Sequence, residues 1–326
     1  MKAVLCKQLG GPETLVVEDV PSLVPGKGQV VVAVEAAGVN FPDTLIIQGK
    51  YQFKPELPFS PGGEAAGTIK ALGEGVTGWK IGDRVIAAAT WGGYAQELAT
   101  DAGRLFAMPD SMDYVSASAF LLTYGTSYHA LKDRARIRPG ETLLVLGASG
   151  GVGLSAVQIG KAMGARVIAA ASTEAKLEVC RQNGADETIN YATEDLRARV
   201  KAITNGRGVD VIYDPVGGPL SETALRDMAW NGRFLVVGFA GGEIPKIPLN
   251  LVLLKGCAIV GVFWGDWTRR EPALFNDSVR NLCAWYAEGK LKPHISETLP
   301  LERVSEALQK MASRQVTGKI VLRVNS

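Results

Sequence analysis

The run Thr142-Leu143-Leu144-Val145-Leu146 leads directly into Gly147-Ala148-Ser149-Gly150-Gly151-Val152-Gly153, four glycines in seven positions, and then into an apolar, helix-forming stretch. A buried strand that breaks into a glycine-dense turn and then a helix brings backbone N–H groups close to a phosphate, because the first helical turn carries unpaired donors and the positive end of the helix dipole. Aligned to G-x-G-x-x-G, residues 148–153 place Ala148 at the first glycine position and keep Gly150 and Gly153 at the second and third. Gly150 lets a pyrophosphate approach the backbone, and Gly153 lets the helix pack tightly on the strand. Glycine turns also serve as plain connections, so the context carries the weight. There is a strand before, a helix after, and a second strand that ends about 20 residues further on.

The surrounding rhythm fits that reading. After Leu122, short and nearly all-apolar strands (142–147, 166–171, 188–190, 209–214, 233–238 and 258–263) alternate with helical stretches such as 152–163 and 173–183. This alternation predicts a parallel sheet covered on both faces, an α/β doubly wound fold. Before Leu122 the chain reads as strands and turns: 29–37 is β-rich, and Gly and Pro interrupt the rest. A small β-rich domain is expected there. A helix at 301–312 and a strand at 319–324 are placed to return to it. The expected division is 1–122, 123–262 and 263–326.

The second strand bears on which nucleotide is held. An NAD site normally ends this strand in Asp or Glu, which accepts from the ribose 2′-hydroxyl. Here it ends in Ser172-Thr173, with Lys176 one turn into the next helix. Small hydroxyl residues leave room for a 2′-phosphate, and one charge-assisted bond contributes about 1.5–3 kcal/mol. NADPH is therefore expected over NADH. Glu174 has a separate reading, as an acid favoured by the helix dipole in a first turn.

Composition narrows the class. The 326 residues carry a formal charge of +2, which does not suggest a nucleic-acid binder. Cys6, Cys180, Cys257 and Cys283 lie far apart, with no paired spacing for a disulfide framework or a zinc site. No apolar run approaches the ~20 residues of a membrane span. A soluble, cytoplasmic protein without a membrane or nucleic-acid partner is expected.

The stretch Gly140-Glu141-Thr142-Leu143-Leu144, Ala148-Ser149-Gly150-Gly151-Val152-Gly153, Gln158 and Lys161 resembles the signature of the zinc-independent, ζ-crystallin-like quinone oxidoreductases of the medium-chain dehydrogenase/reductase superfamily. The resemblance extends from residues 36–43 through 57–67 to 316–322. It implies a GroES-like catalytic domain, a Rossmann NADPH-binding domain and a homodimer formed by pairing edge strands. Zinc-dependent relatives carry Cys where this chain has Asn40 and His where it has Gly63. Neither residue supplies a thiolate or imidazole, so no metal is expected. That disfavours alcohol oxidation, which needs a Lewis acid, and favours reduction of an electron-poor quinone or activated alkene.

The resemblance further implies that Lys176, Tyr191 and Arg314 surround the 2′-phosphate. Ala148, Ser149, Gly150, Gly151, Val152 and Gly153 would form the pyrophosphate turn beside Ser172 and Thr173. Thr123, Gly238 and Phe239 would flank the nicotinamide. Catalytic candidates by the same match are Asn40, Asp43, Tyr51 and Thr123, in a cleft expected between the domains. Tyr51 is the foremost donor to a carbonyl oxygen gaining charge. It reads equally as a loop tyrosine packed on the β domain, and Asp43 reads equally as a helix cap. Relatives often carry a second tyrosine shortly after the matching Asp, where this chain has Leu45 and Ile46. Trp264 and Trp267 beside Arg269 and Arg270 could stack on a flat quinone or meet an anionic tail, or could close a core. His129 and His294 are expected to be structural. Two other functions remain open at this point. One is an enone or enoyl-thioester reductase, with Arg269 and Arg270 meeting CoA phosphates. The other is a non-enzymatic NADPH- or RNA-binding role.

Overall fold

The computed structural model describes residues 1–325, which divide into two compact units: Met1–Leu122 together with the chain from Lys292 onward, and Thr123–Leu291. The chain opens with β1 (Lys2–Leu5), β2 (Val16–Asp19), β3 (Gln29–Gly38), α1 (Phe41–Ile46), β4 (Glu64–Leu72), β5 (Arg84–Ala88), β6 (Glu97–Asp101), β7 (Leu105–Ala107) and α2 (Tyr114–Ser118). Next come α3 (Leu121–Tyr128), β8 (Thr142–Leu146), α4 (Gly151–Ala162), β9 (Arg166–Ala171), α5 (Glu174–Gln182), β10 (Glu187–Asn190), α6 (Leu196–Ile203) and β11 (Val209–Asp214). They are followed by α7 (Pro219–Leu225), β12 (Met228–Val236), α8 (Leu249–Lys255), β13 (Ala258–Gly261), α9 (Trp264–Arg270) and α10 (Pro272–Ala287). The chain ends with β14 (Ile295–Pro300), α11 (Val304–Ala312) and β15 (Lys319–Arg323).

In the first unit, β3 is the spine. It pairs antiparallel with β4, β6 and β15, and the full order is β14-β15-β3-β4-β5-β7. Val30, Val32 and Val34 are fully buried in a core shared with Val85, Ile69 and Leu322. The β-branched pattern of β3 thus has a partner strand on either side and a packed face beneath it.

In the second unit, the six strands are all parallel in the order β10-β9-β8-β11-β12-β13. Numbered within the unit this is 3-2-1-4-5-6, the doubly wound order, and the direction of winding reverses between β8 and β11. Every residue of β8 and β11 is buried, as expected for strands with helices on both faces. Residues 263–291 were expected to belong with the C-terminal return. They instead form α9 and α10 of the second unit, because their aromatic side chains pack there. Trp267 stacks on His129 at 4.0 Å, and Trp264 meets Phe275 edge-on at 5.6 Å.

The turn after β8 shows why glycine is required. Gly147 has φ +57, a left-handed conformation. A Cβ on Gly153 would lie 2.5 Å from the Gly147 carbonyl oxygen and 2.7 Å from the Ala148 Cα. Both are backbone atoms that cannot step aside. A Cβ on Gly150 would meet nothing nearer than 3.5 Å. Gly153→Ala is therefore expected to lower stability by about 1–3 kcal/mol through overpacking, whereas Gly150→Ala leaves it nearly unchanged. Thermal melts of the two variants check this directly.

Candidate active site

The glycine turn positions the start of α4 at the carboxyl end of β8, beside the reversal point of the sheet. Gly150 is the N-cap, in extended conformation, and among the described residues no side chain caps the helix. The first-turn N–H groups of a helix have no intrahelical acceptor. Ala148 and Ser149 are buried, while Gly150, Gly151 and Val152 are half-buried and form the outward rim. An uncapped helix start behind a glycine rim suits a phosphate group.

Ser172 follows β9 half-buried, and the exposed Thr173 caps α5, its hydroxyl accepting from the Lys176 N–H at 3.3 Å. The Glu174 carboxylate is paired with Arg181 at 2.6 Å, two turns along the same helix. Tyr191, just after β10, is half-buried against the apolar cluster under the sheet. Across the reversal point, Asp214 ends β11. Its Oδ1 accepts from the N–H groups of Val216 and Gly217 at 2.8 and 3.0 Å, and its Oδ2 accepts from the Ser221 hydroxyl. The Asp214 carbonyl accepts from Gly238 N–H at 3.3 Å, and Phe239, just after Gly238, stands beside Gly217 and is one-third exposed. Thr123 is buried at the start of the second unit, and its carbonyl accepts from Ser155 of α4 at 3.0 Å.

In the first unit, a buried polar network gathers around the start of α1. Asn40 caps the helix, Pro42 occupies its first turn, and Asp43 returns to the Asn40 N–H at 2.8 Å. The Asn40 amide donates both of its protons internally, to Gly38 O at 3.2 Å and Glu64 Oε1 at 3.0 Å. Its oxygen accepts from Lys319 Nζ at 2.5 Å. Lys319 also donates to Glu64 Oε1 and Val39 O, both at 2.9 Å. Tyr94, fully buried, donates its hydroxyl to Asp43 Oδ2 at 2.6 Å.

Burial pushes the Asp43 carboxyl up to about 6, against the pull of the Tyr94 and Asn40 hydrogen bonds and of Lys319. Burial, and then the charge of Asp43, push the Tyr51 phenol up as well. Tyr51 meets Phe53 edge-on and packs on the core of its unit, so its packing role and its closeness to Asp43 coexist. Sequence reasoning did not find Glu64, Tyr94, Lys319 or Asp214. The available signal was charge at strand ends: Lys319 opens an apolar strand and Glu64 opens another.

Both units match known models. A family model described as alcohol dehydrogenase GroES-like domain covers residues 26–110, and one described as zinc-binding dehydrogenase covers 151–279. A quinone oxidoreductase-like protein 2 homolog from Nematostella vectensis is 42% identical over 325 residues, covering 98% of this chain and 88% of its own. The quinone oxidoreductase of Homo sapiens is 35% identical, covering 99% and 97%. The crystal structure of Escherichia coli quinone oxidoreductase complexed with NADPH superposes with a TM-score of 0.92 at 31% identity, covering 99% and 100%. The chain belongs to the quinone oxidoreductase family of the medium-chain dehydrogenase/reductase superfamily. Its first unit is the GroES-like domain of that superfamily, and its second is the Rossmann domain.

Within this quinone oxidoreductase family member, the remaining candidates divide by unit. Trp264, the first residue of α9, packs against α3, where a Cβ on Gly125 would meet its ring at 2.8 Å, and Trp267 covers His129, whose Nδ1 is 2.9 Å from Asp133 Oδ2. The tryptophans therefore close an aromatic cluster inside the Rossmann unit. Arg269 and Arg270 both pair with Asp266, at 2.8 and 2.5 Å. Arg314 is exposed on the GroES-like unit in a left-handed turn, φ +59, after α11. Among the described residues no three His, Cys, Asp or Glu side chains gather in a metal-holding group. The Asn40 amide is instead tied to a buried ammonium.

The raised Asp43 carboxyl makes a linkage prediction. The folded protein holds this proton more tightly than the unfolded chain does. Stability therefore falls as pH rises from 3.8 to about 6 and levels off above. A shift of this size corresponds to about 3 kcal/mol. Asp43→Asn keeps an acceptor for Asn40 and Tyr94 but does not ionise, so its stability relative to wild type should climb across that window. Urea unfolding of both proteins from pH 4 to 8 measures it; a pH-independent difference would refute the raised carboxyl.

Proposed function

We propose that this oxidoreductase is an NADPH-dependent, metal-independent reductase of quinones. The observation that carries the reading is the phosphate cradle: an uncapped α4 behind the Gly150–Val152 rim, next to a second strand ending in Ser172-Thr173 whose neighbouring acid, Glu174, is neutralised by Arg181. The turn 148–153 holds the pyrophosphate on backbone N–H groups. Ser172, Thr173, Lys176 and Tyr191 receive the 2′-phosphate, and Thr123, Gly238 and Phe239 flank the nicotinamide. When bound, the nicotinamide supplies the hydride. Tyr51, with its phenol pushed up and so firmly protonated, donates a hydrogen bond to the acceptor oxygen as charge develops there. A quinone is favoured over a CoA thioester because Arg269 and Arg270, the pair available for CoA phosphates, are already engaged by Asp266.

The same reading includes a homodimer in the cytoplasm. β13 is an edge strand of the parallel sheet with Ala258, Ile259 and Gly261 exposed, and Leu249, Leu253 and Leu254 just before it are 76, 80 and 71% exposed. An apolar, unpaired edge of this kind is completed by a second copy. Four free thiols suit a reducing compartment.

Purified protein treated with EDTA is expected to oxidise NADPH with 9,10-phenanthrenequinone and not with crotonyl-CoA. Turnover with the thioester alone would move it to the enoyl reductases, and equal efficiency with NADH would remove the 2′-phosphate assignment. Lys176→Ala should weaken NADPH binding about tenfold while leaving NADH binding unchanged, as measured by nucleotide fluorescence titration. Sedimentation should give a dimer that Leu253→Glu with Leu254→Glu separates into monomers.

A further inference from the structure

The two oxygens of Asp43, a side chain 2% exposed, have different surroundings. Oδ2 accepts from the Asn40 N–H and the Tyr94 hydroxyl, and Oδ1 has no hydrogen-bond partner among the described residues. In front of Oδ1 lies a gap made by Gly63. A Cβ there would sit 3.8 Å from Asp43 Oδ1, 3.7 Å from the Ala89 carbonyl and 3.9 Å from Leu122 Cδ1, all ordinary contact distances. Glycine thus leaves about one methyl group of room before an unpartnered carboxyl oxygen.

Two donors on Oδ2 occupy both of its lone pairs, so a proton taken up by Asp43 has to reside on Oδ1. The other groups facing the acid do not offer a proton as easily. Tyr94 donates its hydroxyl to Oδ2, and burial and the Asp43 charge push that phenol well up. Lys319, which favours the ionised acid, is committed to Val39, Asn40 and Glu64, and Glu64 disfavours it. Tyr51 is itself pushed up by burial and then by the Asp43 charge, so it stabilises an oxyanion by hydrogen bonding more readily than it gives up its proton.

We propose that Asp43 is the catalytic proton donor of this reductase, releasing its proton from Oδ1 to the reduced acceptor oxygen, and that Tyr94 is the positioning residue that confines the proton to Oδ1. The inference rests on the reductase reading. The step breaks the Asp43 O–H bond and forms an O–H bond on the acceptor oxygen, which has become anionic through the two electrons supplied by the nicotinamide. It leaves Asp43 as a carboxylate, which solvent reprotonates before the next turnover. The carboxyl, at about 6, exchanges its proton close to neutral pH.

The test pairs a titration without nucleotide with a kinetic profile. In protein labelled with ¹³C at aspartate carboxyls, one carboxyl should titrate near 6, disappear in Asp43→Asn and move upward in Tyr94→Phe, which loses a donor to the anion. With phenanthrenequinone, wild-type kcat should decline above the same pH. Tyr94→Phe should move that decline by the amount its carboxyl moves. Asp43→Asn should lose kcat at least tenfold and lose the decline, with the KM for NADPH unchanged. Gly63→Ala, which fills the gap at ordinary contact distance from Oδ1 and leaves the hydrogen bonds on Oδ2 intact, should lower kcat and leave the carboxyl titration in place. Retention of the wild-type decline by Asp43→Asn, or a decline that stays fixed while the Tyr94→Phe carboxyl moves, would overturn the proposal alone. Wild-type protein that reduces no acceptor with NADPH would overturn the reductase reading and this proposal with it.

Discussion

The GroES-like unit depends on one buried ion pair. Lys319, the first residue of the last strand, donates to Glu64, the first residue of β4, at 2.9 Å, with side chains 5% and 1% exposed. Removing two charges from water is unfavourable unless every donor and acceptor finds a partner. Here the ammonium has three acceptors, and the Glu64 carboxylate receives Lys319, the Asn40 amide and the Leu122 N–H. The pair therefore fixes three chain segments at once: the start of α1, the start of β4 and the returning strand β15. Breaking a pair of this kind typically destabilises by about 3–5 kcal/mol, so the end of the chain is structurally tied to its beginning.

That network sets the chemistry of what stands beside it. Asn40, a match-derived catalytic candidate, spends both amide protons on the network, so its structural part is to cap α1 and carry Asp43 into place. Asp43 then keeps one oxygen bound and one unbound, and its charge reaches Tyr51. In the Rossmann unit a steric constraint plays the equivalent part. The closeness of Gly153 to the Gly147 carbonyl sets α4 against β8, and the helix start that results is left uncapped.

What could be read from the chain follows the range of each interaction. The glycine turn and the apolar strands 166–171 and 209–214 are local, and the structure has them where the pattern predicts. Ends governed by tertiary pairing shifted: β12 begins at Met228 rather than 233, because Met228 pairs with Val209 across a register irregularity. Residues 263–291 were harder still. Nothing local distinguishes tryptophans that close a core from tryptophans that meet a ligand; the stacking of Trp267 on His129, 138 residues earlier in the chain, is what places them. Lys319 and Glu64 are 255 positions apart, and Tyr94 and Asp43 are 51 apart, so no motif window contains either pair.

The two positions that differ from zinc-dependent relatives, Asn40 and Gly63, gain a joint meaning from this geometry. An amide at 40 can bridge Lys319 and Glu64 as acceptor and donor together, which a thiolate could not do. A glycine at 63 leaves the space in front of Asp43 Oδ1. The Lys319 ammonium is thus spent internally, on Val39, Asn40 and Glu64, and the protonated phenols of Tyr51 and Tyr94 stand beside that network as hydrogen-bond donors. Such a set stabilises an oxygen that becomes anionic during reduction, but it cannot hold an alkoxide as a divalent cation would. On the reading proposed above, an amide at 40 and a glycine at 63, which supply no metal ligand, therefore suit acceptors already poor in electrons.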